Sequence, residues 1–342
     1  MACQTKQGRE STTGMELDAY RGKRILVTGG AGYLGTNLVQ ALAHIPCMVM
    51  RLSRTGARFM QVEGRADVQD IVGDVRNQEI WPNLLDGVDF VFHFAAQTSV
   101  YASHHDPQAD LDINVLPMLH ILETCRQSGQ CPTILFSGTV TEAGIPTQLP
   151  VDESHPDNAI TVYDFHKLMA EQYLKSYVGR ELVRGTILRL TNVYGPGPPS
   201  SSADRGVLNQ MIRRALQGER LTVFGLGAQI RDYIFIQDVI AAFLAAGAAI
   251  SKTNGNHYVI GSSTGYTIAQ AIQLVANQVA PKTGQQVQVV HVDLPHPQSP
   301  IEARNFVAAT ARFQSATGWQ ARWPLTKGII QTVEWQVQQQ KH

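Results

Sequence analysis

The sequence predicts an α/β fold, a doubly wound parallel sheet joined to a smaller C-terminal α/β lobe. Three observations carry that expectation. Short apolar runs alternate with segments of helical periodicity up to about residue 190, the pattern of a parallel sheet covered on both faces. A glycine-rich turn, Thr28-Gly29-Gly30-Ala31-Gly32-Tyr33-Leu34-Gly35, links the first apolar run to the first helical segment. The alternation then stops at Gly195-Pro196-Gly197-Pro198-Pro199-Ser200-Ser201-Ser202, which can sustain neither helix nor strand and reads as a mobile loop.

In order, 25–27 is a buried strand and 33–43 a helix. Strands follow at 48–52, 68–72 (closing on Gly73-Asp74), 89–96, 133–136 and 186–190. One helix is expected over 109–127, with Leu111, Val115, Leu119 and Leu122 on one face, and another over 162–177. Beyond the loop come a helix at 207–216, a strand at 221–224, the segment 230–234 and an alanine-rich helix at 239–250. A strand at 258–260, a helix at 268–279, a strand at 287–292 and an amphipathic helix from Leu325 complete the chain. The division is then a loose tail at 1–20, a dinucleotide-binding domain at 21–192 completed by 229–250, and a second lobe from 193–228 and 251–342.

Composition narrows the function. Lys plus Arg and Asp plus Glu each number 28, so a net charge of zero gives no electrostatic reason for a nucleic-acid or anionic-membrane partner. Cys3, Cys47, Cys125 and Cys131 form no CxxC pair, and Cys47 and Cys125 lie in apolar patterns, as reduced core thiols do. The polar residues 1–20 lack the apolar core of a signal peptide, and 239–250 is too short to span a bilayer. A soluble, cytoplasmic protein is expected.

The glycines have separate physical roles in a Rossmann-type turn: a tight reversal, close approach of a pyrophosphate to the backbone, and close packing of helix on strand. Gly30, Gly32 and Gly35 fit G-x-G-x-x-G, and Thr28, Gly29, Gly32 and Gly35 fit T-G-x-x-G-x-x-G. The helix start then offers N–H groups to phosphate. Ser53-Arg54 ends the second strand, where such a fold places the adenine ribose. A hydroxyl beside a cation suits a 2′-phosphate and so NADP over NAD, although a polar surface loop would read the same. Asp74 suits the adenine amino group, or equally a turn after Gly73.

Tyr163 and Lys167 lie four apart on one face of a predicted helix. A phenol, with a pKa of about 10, is a poor base unless a neighbouring ammonium stabilises its anion. An ordinary exposed helix face would show the same spacing. Position favours chemistry, because Ser137-Gly138-Thr139 closes the preceding strand and Thr139 would reach the sheet's carboxyl edge. His93 reads as a packed core imidazole. His104, His105 and His166 lack ligand spacing, so no metal is expected. Arg231, flanked by apolar residues, needs a partner, either Asp232 or a ligand pyrophosphate.

With these residues assembled, 22–335 resembles an extended short-chain dehydrogenase/reductase of the nucleotide-sugar epimerase/dehydratase family. The resemblance rests on the 28–35 turn, Gly73-Asp74, His93-Phe94-Ala95-Ala96, Asn114, Ser137-Gly138-Thr139 and Tyr163 with Lys167. Arg189 with Asn192-Val193-Tyr194-Gly195-Pro196, and Arg231-Asp232-Tyr233 with Asp238, complete it. It implies that Tyr163 is the base at a sugar C4 hydroxyl, Thr139 steadies the oxygen, Lys167 holds the nicotinamide ribose, and Asn114 supports the active-site helices. It assigns Gly29, Gly32, Tyr33, Leu34, Gly35, Ser53, Arg54, Asp74, Val75, Phe94, Ala95, Ala96 and Ser137 to the cofactor. Thr98, Asn192, Val207, Leu208, Phe224 and Arg231 join Thr139 on the substrate side.

Three departures shape the expected activity. Val140 and Thr141 stand where family dehydratases carry an acidic pair, which argues against elimination of water. Ser53 replaces the acidic residue usual in NAD-using epimerases. Ser299-Pro300-Ile301-Glu302 occupies the region of a second phosphate-binding arginine, with Arg304 nearby. The resemblance thus implies a C4 epimerase of nucleotide-diphosphate sugars, with an NADPH-dependent 4-keto reductase as the alternative. A non-catalytic cofactor sensor on the same fold is disfavoured, because Tyr163 and Lys167 are both present. A homodimer through the helices of Asn114 and Tyr163 is implied as well.

Overall fold

The structure, a computed structural model, describes residues 17–56, 59–199, 206–293 and 299–340. Its strands are β1 (Arg24–Thr28), β2 (Met48–Ser53), β3 (Asp67–Val72), β4 (Phe90–His93), β5 (Thr133–Thr139) and β6 (Arg184–Leu190). Then come β7 (Asn192–Tyr194), β8 (Leu221–Phe224), β9 (Ile230–Phe235), β10 (His257–Ile260), β11 (Gly265–Thr267) and β12 (Val289–Val292). The helices are α1 (Tyr33–Leu42), α2 (Trp81–Leu85), α3 (Val100–His105), α4 (Pro107–Asn114), α5 (Leu116–Ser128) and α6 (Val162–Gly179). They continue as α7 (Val207–Leu216), α8 (Ile236–Ala248), α9 (Ile250–Thr253), α10 (Ile268–Thr283), α11 (Ala311–Thr317) and α12 (Leu325–Gln339).

Seven parallel strands form the main sheet in the order β10-β6-β5-β4-β1-β2-β3. Because side chains alternate across a strand, each strand feeds two cores. Ile25, Val27, Val49, Phe90, Phe92, Leu135 and Leu188 face α1 and α8. Leu26, Met50, Val91, Ile134, Phe136 and Ile187 face α2, α5 and α6. Burial on both sides is why the strands read as unbroken apolar runs. The exception is β3, the sheet edge, where exposed Asp67 and Asp70 discourage pairing with another chain.

Strand order reverses between β1 and β4, so a crevice opens at their carboxyl ends. Two smaller sheets, β11-β9-β7 and β12-β8, stand beyond it.

Three elements differ from expectation. The single helix over 109–127 is two, because the backbone breaks at Val115 (φ −111°, ψ −55°), just ahead of Pro117 in the first turn of α5. Proline has no N–H to continue the ladder of α4. Strand β10, within the stretch given to the second lobe, pairs with β6 as the seventh strand of the main sheet. The 195–202 loop is ordered through Pro199, and 200–202 fall outside the described residues, as do Cys3 and most of the 1–20 tail. Among the described residues no helix is long and apolar enough to cross a membrane.

Candidate active site

The turn after β1 is built for close approach. Gly29 has φ +68°, and a Cβ there would lie 2.9 Å from the backbone N of Ala95. A Cβ on Gly32 would sit 3.0 Å from the Gly29 carbonyl oxygen, and one on Gly35 would collide with the same oxygen. Helix α1 begins at Gly32 with no side-chain cap and no acid in its first turn, so its N–H groups face the crevice with positive dipole. A dinucleotide pyrophosphate fits this cradle.

Thr28 ties the cradle to the strand beside it. Its Oγ1 accepts from the N–H groups of Phe94 and Ala95, both at 3.1 Å, and so donates its own hydrogen to His93 Nδ1 at 2.9 Å. His93 therefore carries its proton on Nε2. Burial, then the Lys167 charge, push its pKa down to about 3, so it is the neutral packed imidazole expected. Ser137 Oγ donates to the His93 carbonyl at 3.3 Å.

Tyr33 and Asn37 of α1 reach the other way. Tyr33 Oη donates to the Gly195 carbonyl (2.9 Å), and Asn37 Nδ2 to that of Pro196 (3.2 Å). Asn209 on α7 donates to the same Gly195 oxygen at 3.0 Å.

At the end of β2, Ser53 is half-buried and Arg54 exposed. The Asp74 carboxylate accepts from Arg76 Nη2 (2.6 Å) and Nε (3.0 Å) and from the Arg76 backbone N–H (3.0 Å). Those bonds hold it below the usual carboxylate range. Val75 is buried, and its carbonyl accepts from the Trp81 indole at 3.1 Å.

Thr161 and Asp164 start α6 with a reciprocal cap, at 3.2 Å and 3.1 Å. Tyr163 follows at once, its backbone N–H held by Ser103 Oγ of α3 at 3.2 Å and its ring packed on Val100 and Ile301. Lys167, one turn on, is 2% exposed, with Nζ 4.0 Å from the centre of the Phe136 ring. An exposed helix face is thereby excluded. Burial lowers the Lys167 ammonium to about 8, against the pull of Glu142, Asp110 and Glu171. Thr139 Oγ1 lies 2.9 Å from Thr141 Oγ1, and its backbone N–H donates to Glu142 at 3.1 Å. Asn114 donates to the Gln97 carbonyl and to Asp110, both at 3.0 Å.

A family profile, "NAD dependent epimerase/dehydratase family", matches residues 25–261. The chain belongs to this family. Over 324 residues it is 28% identical to the "Putative UDP-glucose 4-epimerase" of Methanocaldococcus jannaschii, covering 91% of this chain and 97% of that protein. The crystal structure of the Thermotoga maritima UDP-glucose 4-epimerase with UDP-glucose superposes with a TM-score of 0.83 at 26% identity, covering 93% of this chain and 99% of that one. The Pseudomonas aeruginosa protein RMD complexed with NADPH gives 0.73 at 25% identity, over 92% and 99%. A nicotinamide dinucleotide is thus the family's cofactor, and the glycine cradle accommodates it.

Behind Thr139 and Lys167 this family member carries a buried charge cluster that the sequence reading passed over. Arg189 of β6 donates to Glu171 (3.0 and 2.7 Å) and to Asp157 (2.6 Å). Glu142 Oε2 lies 2.9 Å from Arg189 Nε but has no hydrogen bond of its own from it. Lys175 bonds Glu171 at 2.5 Å and His257 at 2.8 Å. Burial and the Glu171 charge push the Glu142 carboxyl well above the ordinary range. Burial also opposes the charge on Glu171, yet the Arg189 guanidinium outweighs it and holds Glu171 at about 2. The cue was available: Arg189, like Arg231, is an arginine in an apolar strand.

On the far side, Arg231 does not pair with Asp232. Its guanidinium donates to the carbonyls of Arg304, Glu302 (2.7 Å) and Ile230 (3.2 Å). Asp232 instead accepts from the N–H groups of Ser262 (2.7 Å), Ser263 (3.1 Å) and Ala308 (3.1 Å). Asn192 Nδ2 donates to the Asp232 carbonyl at 3.1 Å. Val207 and Phe224 are exposed apolar surfaces, Leu208 turns into the core, and Thr98 is half-buried between Gln97 and Ser99. Cys47 and Cys125 are buried free thiols, and burial pushes them up to about 11 and about 12. Among the described residues no group of three or more His, Cys, Asp or Glu could hold a metal ion.

Proposed function

We propose that this protein is a nucleotide-sugar epimerase that inverts C4 through a transient 4-keto sugar. The observation that carries the reading is Lys167, buried and cationic one turn from Tyr163, with Thr139 at the carboxyl edge of the strand beside them. Tyr163 takes the C4 hydroxyl proton, Lys167 stabilises the phenolate and holds the nicotinamide ribose, and Thr139 donates to the reacting oxygen. A nicotinamide held there would supply the hydride acceptor and donor that inversion needs. Elimination of water has no acid–base pair to serve it, because Glu142 is sequestered by the Thr139 N–H and neighbouring Glu171.

Gly29, Gly32, Gly35 and the first turn of α1 hold the pyrophosphate, and Ser53 with Arg54 favours the 2′-phosphate of NADP. That same pair favours the second reading, an NADPH-dependent 4-keto reductase. Exposed Val207 and Phe224 line the nucleoside side, with Arg231 and Arg304 adjacent. Phe165 and Met169, exposed one turn apart on α6, support a homodimer through that helix with α4, the helix of Asn114. Buried free thiols fit a reducing, cytoplasmic setting.

The test is incubation of purified protein with UDP-, dTDP- and CDP-sugars and their 4-keto derivatives, with and without NADPH. Inversion at C4 without NADPH consumption is expected. One NADPH consumed per product would move the reading to the reductase, and no turnover with any of them would end both.

A further inference from the structure

Asp110 has entered so far only as one of the charges acting on the Lys167 ammonium, yet three structural pieces meet at its carboxylate. It lies on α4, one turn before Asn114, and is 1% exposed. Oδ1 accepts from Gln97 Nε2 at 2.6 Å and from Asn114 Nδ2 at 3.0 Å. Oδ2 faces His166 Nδ1 at 2.7 Å. Gln97 is itself bound to Ser99, through its amide to the Ser99 carbonyl at 2.8 Å and by accepting from the Ser99 N–H. His166 stands three residues after Tyr163 and immediately before Lys167.

The amides of Gln97 and Asn114 are donors, and a carboxylate that accepts throughout takes an N–H from His166 Nδ1 as its third. Hydrogen bonds to an ionised carboxylate are stronger and shorter than neutral ones, and burial spares this one from salt screening. Apolar packing between helices is non-directional and does not by itself fix a register. A directional bond at one point selects one register. We propose that Asp110 and His166 are positioning residues: together they set α6 on α4 and so aim Tyr163 and Lys167 at the reacting hydroxyl and the cofactor ribose. The proposal rests on the function given above for Tyr163 and Lys167.

The test compares His166→Leu, His166→Asn and Asp110→Asn. Asparagine places an N–H donor where His Nδ1 sits, whereas leucine fills the space without one. In Asp110→Asn the amide nitrogen faces His166, which can accept it only as the other tautomer, so the charge-assisted bond is lost. His166→Leu and Asp110→Asn are expected to lose about 10–100-fold in kcat, the scale of a small misplacement of reacting groups, with KM within about twofold. His166→Asn should return kcat to within about threefold of wild type. A residue serving stability alone would change neither kcat of the folded fraction nor its recovery by asparagine.

Dinucleotide Kd, measured on the same preparations, keeps the two proposals apart. It should weaken in His166→Leu and recover in His166→Asn even if no nucleotide sugar is turned over. Absence of turnover by wild type would then refute the epimerase reading alone. If His166→Leu does not fold, Asp110→Asn against His166→Asn decides in the same way. Wild-type kcat and Kd in folded His166→Leu or in Asp110→Asn, or a loss in His166→Asn equal to that of Asp110→Asn, would overturn the inference.

Discussion

Glu142 and Glu171 are both fully buried beside Arg189, and conservative amides should separate their roles. Arg189 and Lys175 contact three carboxyls, Glu142, Glu171 and Asp157, the Lys167 charge acts on both glutamates as well, and His257 accepts from Lys175 and is therefore neutral. Burial and the Glu171 charge raise Glu142 against the attraction of Arg189, so Glu142 is the carboxyl expected to hold a proton. Glu142→Gln then exchanges one neutral group for another. The amide oxygen can still accept from the Thr139 N–H, and the amide nitrogen can donate to Glu171. Its cost should be within about 1 kcal/mol, the net worth of an ordinary hydrogen bond.

Glu171→Gln removes the charge that takes both N–H groups of Arg189 and should cost about 3–5 kcal/mol, as for breaking a buried ion pair. The sign follows from linkage. A carboxyl depressed to about 2 contributes stability that is present above its unfolded pKa and is lost as pH falls toward 2. The difference between the two variants should therefore narrow between about pH 4.5 and pH 2. Urea unfolding followed by circular dichroism at several pH values measures both. Equal destabilisation by the two variants at neutral pH would place an ionised carboxylate at Glu142 and refute a proton held there.

Three further outcomes test the site. Tyr163→Phe should lower kcat by about 10²–10⁴-fold while dinucleotide Kd stays within about twofold, and substantial turnover would remove Tyr163 as the base. Ser53→Asp should weaken NADP relative to NAD by about tenfold or more, because a carboxylate repels the 2′-phosphate; paired titrations with the two cofactors would read an unchanged ratio if the ribose lies elsewhere. The Lys167 ammonium loses its proton as pH rises through about 8. kcat/KM, which reports the free enzyme, should fall on that limb, and Lys167→Arg should lack it because a guanidinium does not titrate there.

Local features were legible and long-range ones were not. The glycine turn and the Tyr163–Lys167 spacing are short motifs whose chemistry depends on residues within one loop or one helical turn. The main-sheet strands show as apolar runs because both faces are covered, so no register needs to be known to find them. Strand β10 joins that sheet only through pairing with β6, a contact between distant segments that periodicity does not carry. Asp110, Glu142 and Glu171 look in sequence like the solvated face of a helix or turn, and only burial turns them into a site. Arg231 shows the converse. An arginine among apolar residues does call for a partner, but backbone carbonyls supply it, and they leave no mark in the sequence.

The contacts of Tyr33 and Asn37 with the 195–197 backbone make the phosphate-binding turn and the loop leading to the nucleoside side one mechanical unit. A displacement of that loop pulls on the first turn of α1, and a shift of α1 moves the loop by the same bonds. Thermodynamic reciprocity then requires that whatever sugar nucleotide occupancy does to dinucleotide affinity, dinucleotide occupancy does in equal factor to the sugar nucleotide. The two affinities then share one coupling factor, to be measured by titrating each ligand in the presence of the other.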